Sequence, residues 1–129
     1  MTLTAEAKEY IDSVAHPDMV EMLCKPGVDI IAGLNPSKAH TLHMAVGVSG
    51  EAGELLDAIK KFAIYGKPID RENVVEELGD LEFYMEGLRS AFNITRSETL
   101  TANKLKLLGK RYANGTYTDQ QAIDRADKA

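Results

Sequence analysis

Residues 44–62 read MAVGVSGEAGELLDAIKKF and residues 74–92 read VVEELGDLEFYMEGLRSAF. Each stretch carries a pair of acids three residues apart, Glu51/Glu54 and Glu77/Asp80, and 22 residues lie between Glu54 and Glu77. Acid spacing alone is uninformative, because seven such pairs occur: Glu6/Glu9, Glu9/Asp12, Asp18/Glu21, Glu51/Glu54, Glu54/Asp57, Glu77/Asp80 and Asp124/Asp127. What separates two of them is their position relative to apolar residues at helical spacing. At about 100° per residue, with Glu51 at zero, an arc from about 20° to 140° collects Met44, Ala45, Val48, Ala52, Leu55, Leu56, Ile59 and Phe62. Glu51 and Glu54 lie just beside it, on a stripe shared with His40, His43, Gly47, Ala58, Lys61 and Tyr65. In the second stretch, with Glu77 at zero, Val74, Leu78, Leu81, Met85, Leu88 and Phe92 fill about 20° to 100°. Asp80, Tyr84 and Asn73 flank Glu77 on the corresponding side. Packing the two arcs together predicts four carboxylates at one edge of a shared core.

Working outward, the first long helix is expected from about Ser37 to Tyr65, ended by Gly66 and Pro68, and Asp70 caps the next, which runs to about Phe92. Thr95 or Ser97 caps a fourth segment that ends near Ala113, before Asn114-Gly115. Thr118 and Gln121 have the spacing of a capping box for a short terminal helix. Upstream, Thr4 caps a helix carrying Tyr10, Ile11 and Val14, and Pro17 opens a turn that ends near Cys24. Lys25-Pro26-Gly27 breaks whatever precedes it, and the stretch on to Asn35-Pro36 is the least readable part of the sequence. No stretch alternates like a strand. The expected fold class is all-α, a four-helix-bundle-like domain with a core at about 38–113, an N-terminal helical extension over 1–36 and a C-terminal tail over 114–129 for which fraying is the default.

Composition sets bounds on partners. A chain of 129 residues, 44% hydrophobic and 27% charged, is ordinary for one globular domain. Cys24 is the single cysteine, so disulfide frameworks and cysteine-rich zinc sites are excluded, and a cytoplasmic setting is expected. No apolar run reaches the roughly 20 residues of a membrane span. A net charge of −5 without tryptophan argues against stable nucleic-acid binding. The charge is segregated: residues 58–69 carry three lysines and no acid, and 89–111 carry six bases against Glu98, while 1–57 and 70–88 each sum to −6. Alternating blocks suit a site that holds cations and anions together.

Four clustered carboxylates repel, and partial burial raises the cost of each charge, so they take up protons or bind cations. Oxygen ligands without cysteine favour Mg²⁺, with Mn²⁺ as the alternative. A di-iron bundle needs Glu-x-x-His pairs, and none is present. Phosphate contacts are expected from Lys61, with Lys60 beside it, and from Lys106 and Lys110, which share a face with Asn103. His43 and His40 share the stripe of Glu51 and Glu54, and Tyr84 flanks Glu77; for the nucleotide that a family resemblance implies, the histidines would meet base or phosphate and Tyr84 would stack on the base. Gly47, Gly50 and Gly53 weaken a helix and imply close helix approach or ligand access.

Gly50 to Ala58 followed by Glu77-Leu78-Gly79-Asp80-Leu81 resembles the Glu-x-x-Glu, spacer, Glu-x-x-Asp signature of the MazG-like all-α nucleoside triphosphate pyrophosphohydrolases. The resemblance covers roughly residues 38–129, including Lys60-Lys61, Tyr65-Gly66-Lys67-Pro68 and Arg125-Ala126-Asp127-Lys128. It implies Mg²⁺-dependent hydrolysis of a (deoxy)nucleoside triphosphate to monophosphate and pyrophosphate, with Glu51, Glu54, Glu77 and Asp80 as metal ligands. Glu51 or Glu54 would act as catalytic general base. The family's Asn-x-x-Lys-Leu, Arg-Tyr pattern corresponds to Asn103, Lys106-Leu107 and Arg111-Tyr112, with the second interval one residue longer here. A homodimer or homotetramer is expected, since four such helices leave apolar arcs that one chain does not cover. Two rival expectations are a phosphoribosyl-ATP pyrophosphohydrolase and a catalytically silent helical adaptor; a phage-type dGTP or dATP hydrolase is not singled out.

Overall fold

Local chemistry starts and stops each helix. In the computed structural model, which describes residues 2–128, α4 (Pro36–Ala63) and α5 (Arg71–Ala91) are the two long elements. The end of α4 is closed by Gly66 at φ 67°, where a side chain would be strained, and by the Lys67 amide donating to the Lys61 carbonyl at 3.1 Å. Asp70 caps α5, its carboxylate accepting from the Asn73 amide at 3.1 Å. At the far end Asn93 adopts φ 56° and the Ile94 amide reaches back to the Arg89 carbonyl at 2.8 Å, a Schellman closure with asparagine in place of glycine.

Thr95, rather than Ser97, caps α6 (Arg96–Lys106), which passes into a π-helical turn at Leu107–Arg111. The Tyr112 amide closes that turn on the Leu107 carbonyl at 2.8 Å, five residues back. A π-turn absorbs one residue more than an α-turn, and here it spans Leu107–Arg111. The expected uninterrupted helix to Ala113 is therefore corrected. After Gly115 at φ 80°, Thr118 caps α7 (Asp119–Asp124) with the Gln121 amide donating to its hydroxyl at 3.1 Å, and a 3₁₀ turn follows at Ala126–Lys128. The tail is not frayed: the Arg111 guanidinium grips the fully buried Asp127 carboxylate through two hydrogen bonds of 2.7 and 2.9 Å.

The chain divides into two compact units, Met1–Asn35 and Pro36–Ala129. In the first, α1 (Ala5–Ser13) is capped by the Thr4 hydroxyl and braced by a Lys8–Asp12 pair at 2.8 Å, and α2 (His16–Leu23) carries proline in its first turn. The third element, α3 (Gly27–Gly33), occupies the least readable stretch of the sequence. Its breakers sit at its ends, Pro26 as N-cap and Gly33 as last residue, where they delimit a helix instead of preventing one.

In the second unit α4 and α5 form an antiparallel hairpin. Facing residues step along the seam at alternating intervals of three and four: Met44, Gly47, Glu51, Glu54 and Ala58 on α4 meet Gly87, Tyr84, Asp80, Glu77 and Asn73 on α5. This is the spacing of a coiled-coil seam. It corrects the expected placement of Glu51 and Glu77, which stand in the seam and not beside it, while Glu54 and Asp80 remain exposed. The helices are rotated toward the carboxylate stripe, so the outer part of the expected apolar arcs, including Ala45, Ala52, Leu56, Ile59 and Leu78, is exposed. Met44, Ala58 and Glu77 are the buried residues among those described. The all-α class is observed, with no strand among the described residues, but packing within the chain is that of a hairpin. The α6 helix packs principally on its own π-turn, and that turn on the terminal 3₁₀ turn.

Candidate metal centre

Two glycines allow the hairpin to close. A methyl group on Gly47 would overlap the Tyr84 ring, and one on Gly87 would overlap the Met44 thioether, so each helix supplies a bare backbone patch for the other's large side chain. Gly50 and Gly53 face open space and take no part in this packing. Gly87 lies on the Tyr84 side of α5 by helical spacing, but small residues leave no mark in a hydrophobic pattern.

One heptad step on, the seam is occupied by acids. Carboxylate oxygens of Glu51, Glu77 and Asp80 all lie within 4.8 Å of one another. Glu54 stands outside that triad, yet its charge and its hydrogen bond act on Glu77. Of the four, Glu77 is buried at 9% exposure, Glu51 is half-buried, and Glu54 and Asp80 are exposed. One oxygen on each of Glu51 and Glu77 is buried with no hydrogen-bond partner. Leaving such atoms unpaired is costly.

Electrostatics follows directly. The Glu77 carboxyl is pushed up to about 7 from an ordinary 4.5, first by the hydrogen bond with Glu51, then by burial and by the charge of Glu54. Two carboxylates are both acceptors, so that bond exists only with a proton between them. A divalent cation would meet the same need with more charge, and the orphaned oxygens, the all-carboxylate donor set and access through exposed Glu54 and Asp80 fit Mg²⁺ or Mn²⁺.

The remaining expected site residues fall into three groups. His43 and Tyr84 are neighbours, ring centroids 6.2 Å apart, next to the acids on the side away from the hairpin loop; Phe83 meets Tyr84 edge-on at 5.2 Å. Tyr84 is half-buried with its ring against Gly47. Lys61, at the other end, pairs with Asp57 at 2.9 Å, which raises the lysine and lowers the carboxylate from their ordinary values, and Lys60 sits 5.5 Å above the Tyr65 ring. Asn103 lines a separate groove of about 650 Å³ along α6 with Leu100, Lys104, Leu107 and Leu108; Lys106 and Lys110 do not line it. The principal packing of α6, on its own π-turn, does not join Asn103, Lys106 or Lys110 to the acids. Arg111 is engaged by Asp127, whose carboxyl its hydrogen bonds hold well below the usual carboxylate range.

Lys67 was not among the expected site residues. It lines a pocket of about 270 Å³ with Lys61, Ala58 and Asn73. Its place beside Lys61 depends on the Gly66 turn, which no helical pattern carries.

No described helix is long and apolar enough to cross a membrane. Comparison with known proteins adds no relative: no family model, curated protein or solved structure matches the chain.

Proposed function

We propose that the protein is a Mg²⁺-dependent nucleoside triphosphate pyrophosphohydrolase of the MazG-like kind, cleaving a (d)NTP to monophosphate and pyrophosphate. The observation that carries the reading is the facing of Glu51/Glu54 and Asp80/Glu77 across one helical seam, with two buried carboxylate oxygens left unpaired. A structural salt-bridge network would supply lysine or arginine partners at that position, and none pairs with these four acids among the described residues.

In this reading Glu51, Glu54, Glu77 and Asp80 hold the cation, which when bound neutralises phosphate charge and makes water a better nucleophile. Glu77 and Glu51, fixed in the seam, orient their oxygens without rotamer loss. Glu54, more exposed, takes the proton of the attacking water as general base. His43 and Tyr84 border the acids on one side and offer ring faces to a nucleobase; Lys61 lies on the other and offers charge to the phosphates.

The assembly in this reading is a homodimer or homotetramer. Support comes from large apolar side chains left on the surface of the second unit, among them Leu56 at 69%, Phe83 at 67% and Leu105 at 66% exposure.

Incubation with Mg²⁺ and a panel of (d)NTPs, products resolved by chromatography, tests the activity. Monophosphate plus pyrophosphate is expected, and Glu54→Gln should keep the fold while removing turnover. Diphosphate plus phosphate contradicts the cleaved bond. Turnover of phosphoribosyl-ATP alone would move the assignment to that substrate, and no turnover at all would leave a silent adaptor.

A further inference from the structure

We propose that the pocket at the hairpin loop, built by Ala58, Lys61, Lys67, Pro68, Asp70 and Asn73, is the subsite for the β,γ-diphosphate that leaves as pyrophosphate. This rests on the pyrophosphohydrolase reading and gives the substrate a direction along the seam.

Position comes first. Ala58 and Asn73 are the facing pair immediately beyond Glu54 and Glu77, one helical turn or about 5.4 Å along the axis. Alanine at that step leaves open the space that a larger seam residue would fill. The pocket is therefore the continuation of the carboxylate seam toward the loop, as His43 and Tyr84 are its continuation the other way.

Charge comes second. Two ammonium groups line the pocket, and the Lys67 amide bond to the Lys61 carbonyl, 3.1 Å, ties their backbones together across the Gly66 turn. Among the described residues no carboxylate pairs with the Lys67 ammonium. The one acid of the lining, Asp70, accepts from the Asn73 amide as helix cap. Lys61 is held by Asp57 at an exposed site, a pair that is easily exchanged for a phosphate.

Size comes third. At about 270 Å³ the pocket is just below the roughly 300–1,000 Å³ that enclose whole drug-sized ligands. It suits a diphosphate, which would offer oxygens both to a cation held by the acids and to the ammonium groups at the loop. A nucleoside does not belong there, and the two ring-bearing residues lie at the opposite end.

Calorimetric titration of the full chain with inorganic pyrophosphate in Mg²⁺, with product inhibition measured in parallel, tests the subsite. Lys67→Met should weaken pyrophosphate binding by about tenfold or more, as expected for one charge-assisted contact. Lys67→Arg should restore most of it, and Asp57→Asn, which frees Lys61, should tighten it. Wild-type affinity in Lys67→Met, with circular dichroism unchanged, overturns the proposal. The two readings fail separately. A wild-type enzyme that makes pyrophosphate but binds it independently of Lys67 sinks only the subsite. Lys67-dependent pyrophosphate binding in a protein that cleaves no nucleotide sinks the hydrolase reading and leaves an anion site.

Discussion

The two halves of the α4/α5 seam use the same three-four spacing for opposite ends. At one half, Met44 sits against Gly87 and Tyr84 against Gly47, large on small, so that the helices approach closely. At the other, the equivalent positions hold Glu51, Glu54, Glu77 and Asp80, which repel one another and leave buried oxygens unpaired. A seam selected for stability alone would continue the first pattern. The glycine half supplies rigidity, and the carboxylate half spends it on a constellation that is unstable until a cation or proton enters.

The contrast breaks most visibly at Glu77. Glu77→Gln should reduce kcat/KM by at least about 10²-fold, since losing a group that merely orients a metal ligand already costs 10–100-fold. The same substitution should raise the melting temperature of the metal-free protein at pH 8 by removing a buried charge. Catalysis without loss would remove Glu77 from the metal shell.

A second effect is pH dependence in chelator. Glu77 is raised from 4.5 to about 7 in the folded protein, so the native state favours its protonated form. Its contribution is complete below about pH 4.5 and lost as pH rises through about 7. Thermal melts in EDTA should show stability declining over that window, with Mg²⁺ restoring it at the alkaline end; in Glu77→Gln the decline should flatten. A metal-free protein that gains stability between pH 5 and 7 would contradict the shared proton.

Glycine substitutions give the smaller effects. Gly47→Ala gains helix propensity of about 1 kcal/mol but drives a methyl into the Tyr84 ring, an overpacking cost of about 1–3 kcal/mol. The net expectation is a loss on the order of 1 kcal/mol, about 4–8 °C in Tm for a unit of this size. Gly53→Ala meets open space and should stabilise by at most about 1 kcal/mol. Destabilisation at Gly53 would show that a second copy covers that face.

Much of the helix order was legible because its boundaries are chemical. Thr4, Asp70 and Thr118 are side-chain caps read from identity alone, Thr95 was one of two candidates with Ser97, and Gly66 marks a turn for the same reason. The convergence of Glu51, Glu77 and Asp80 was also legible, since helical spacing puts each pair beside apolar neighbours. The helix rotation was not. Hydrophobic periodicity weights Leu56 and Ile59 and gives nothing to Gly47, Ala58 or Gly87, yet the small residues decide where the backbones touch. The strand-free stretch before Asn35 hid α3 because its proline and glycines read as breakers without regard to their terminal positions. The π-turn between Leu107 and Arg111 appears only in the hydrogen bond from Tyr112 to Leu107. Lys67 depends on a loop that brings it back to Lys61, and periodicity says nothing about loops.

The central claim is that these four carboxylates jointly hold a divalent cation against a polyphosphate. Crystals grown with Mn²⁺ and a nucleotide whose α,β bridge resists hydrolysis test it most directly, through anomalous scattering. The account predicts a peak enclosed by Glu51, Glu54, Glu77 and Asp80 with phosphate oxygens completing its shell. Bound nucleotide with no peak there, or a peak ligated by other residues, would contradict it.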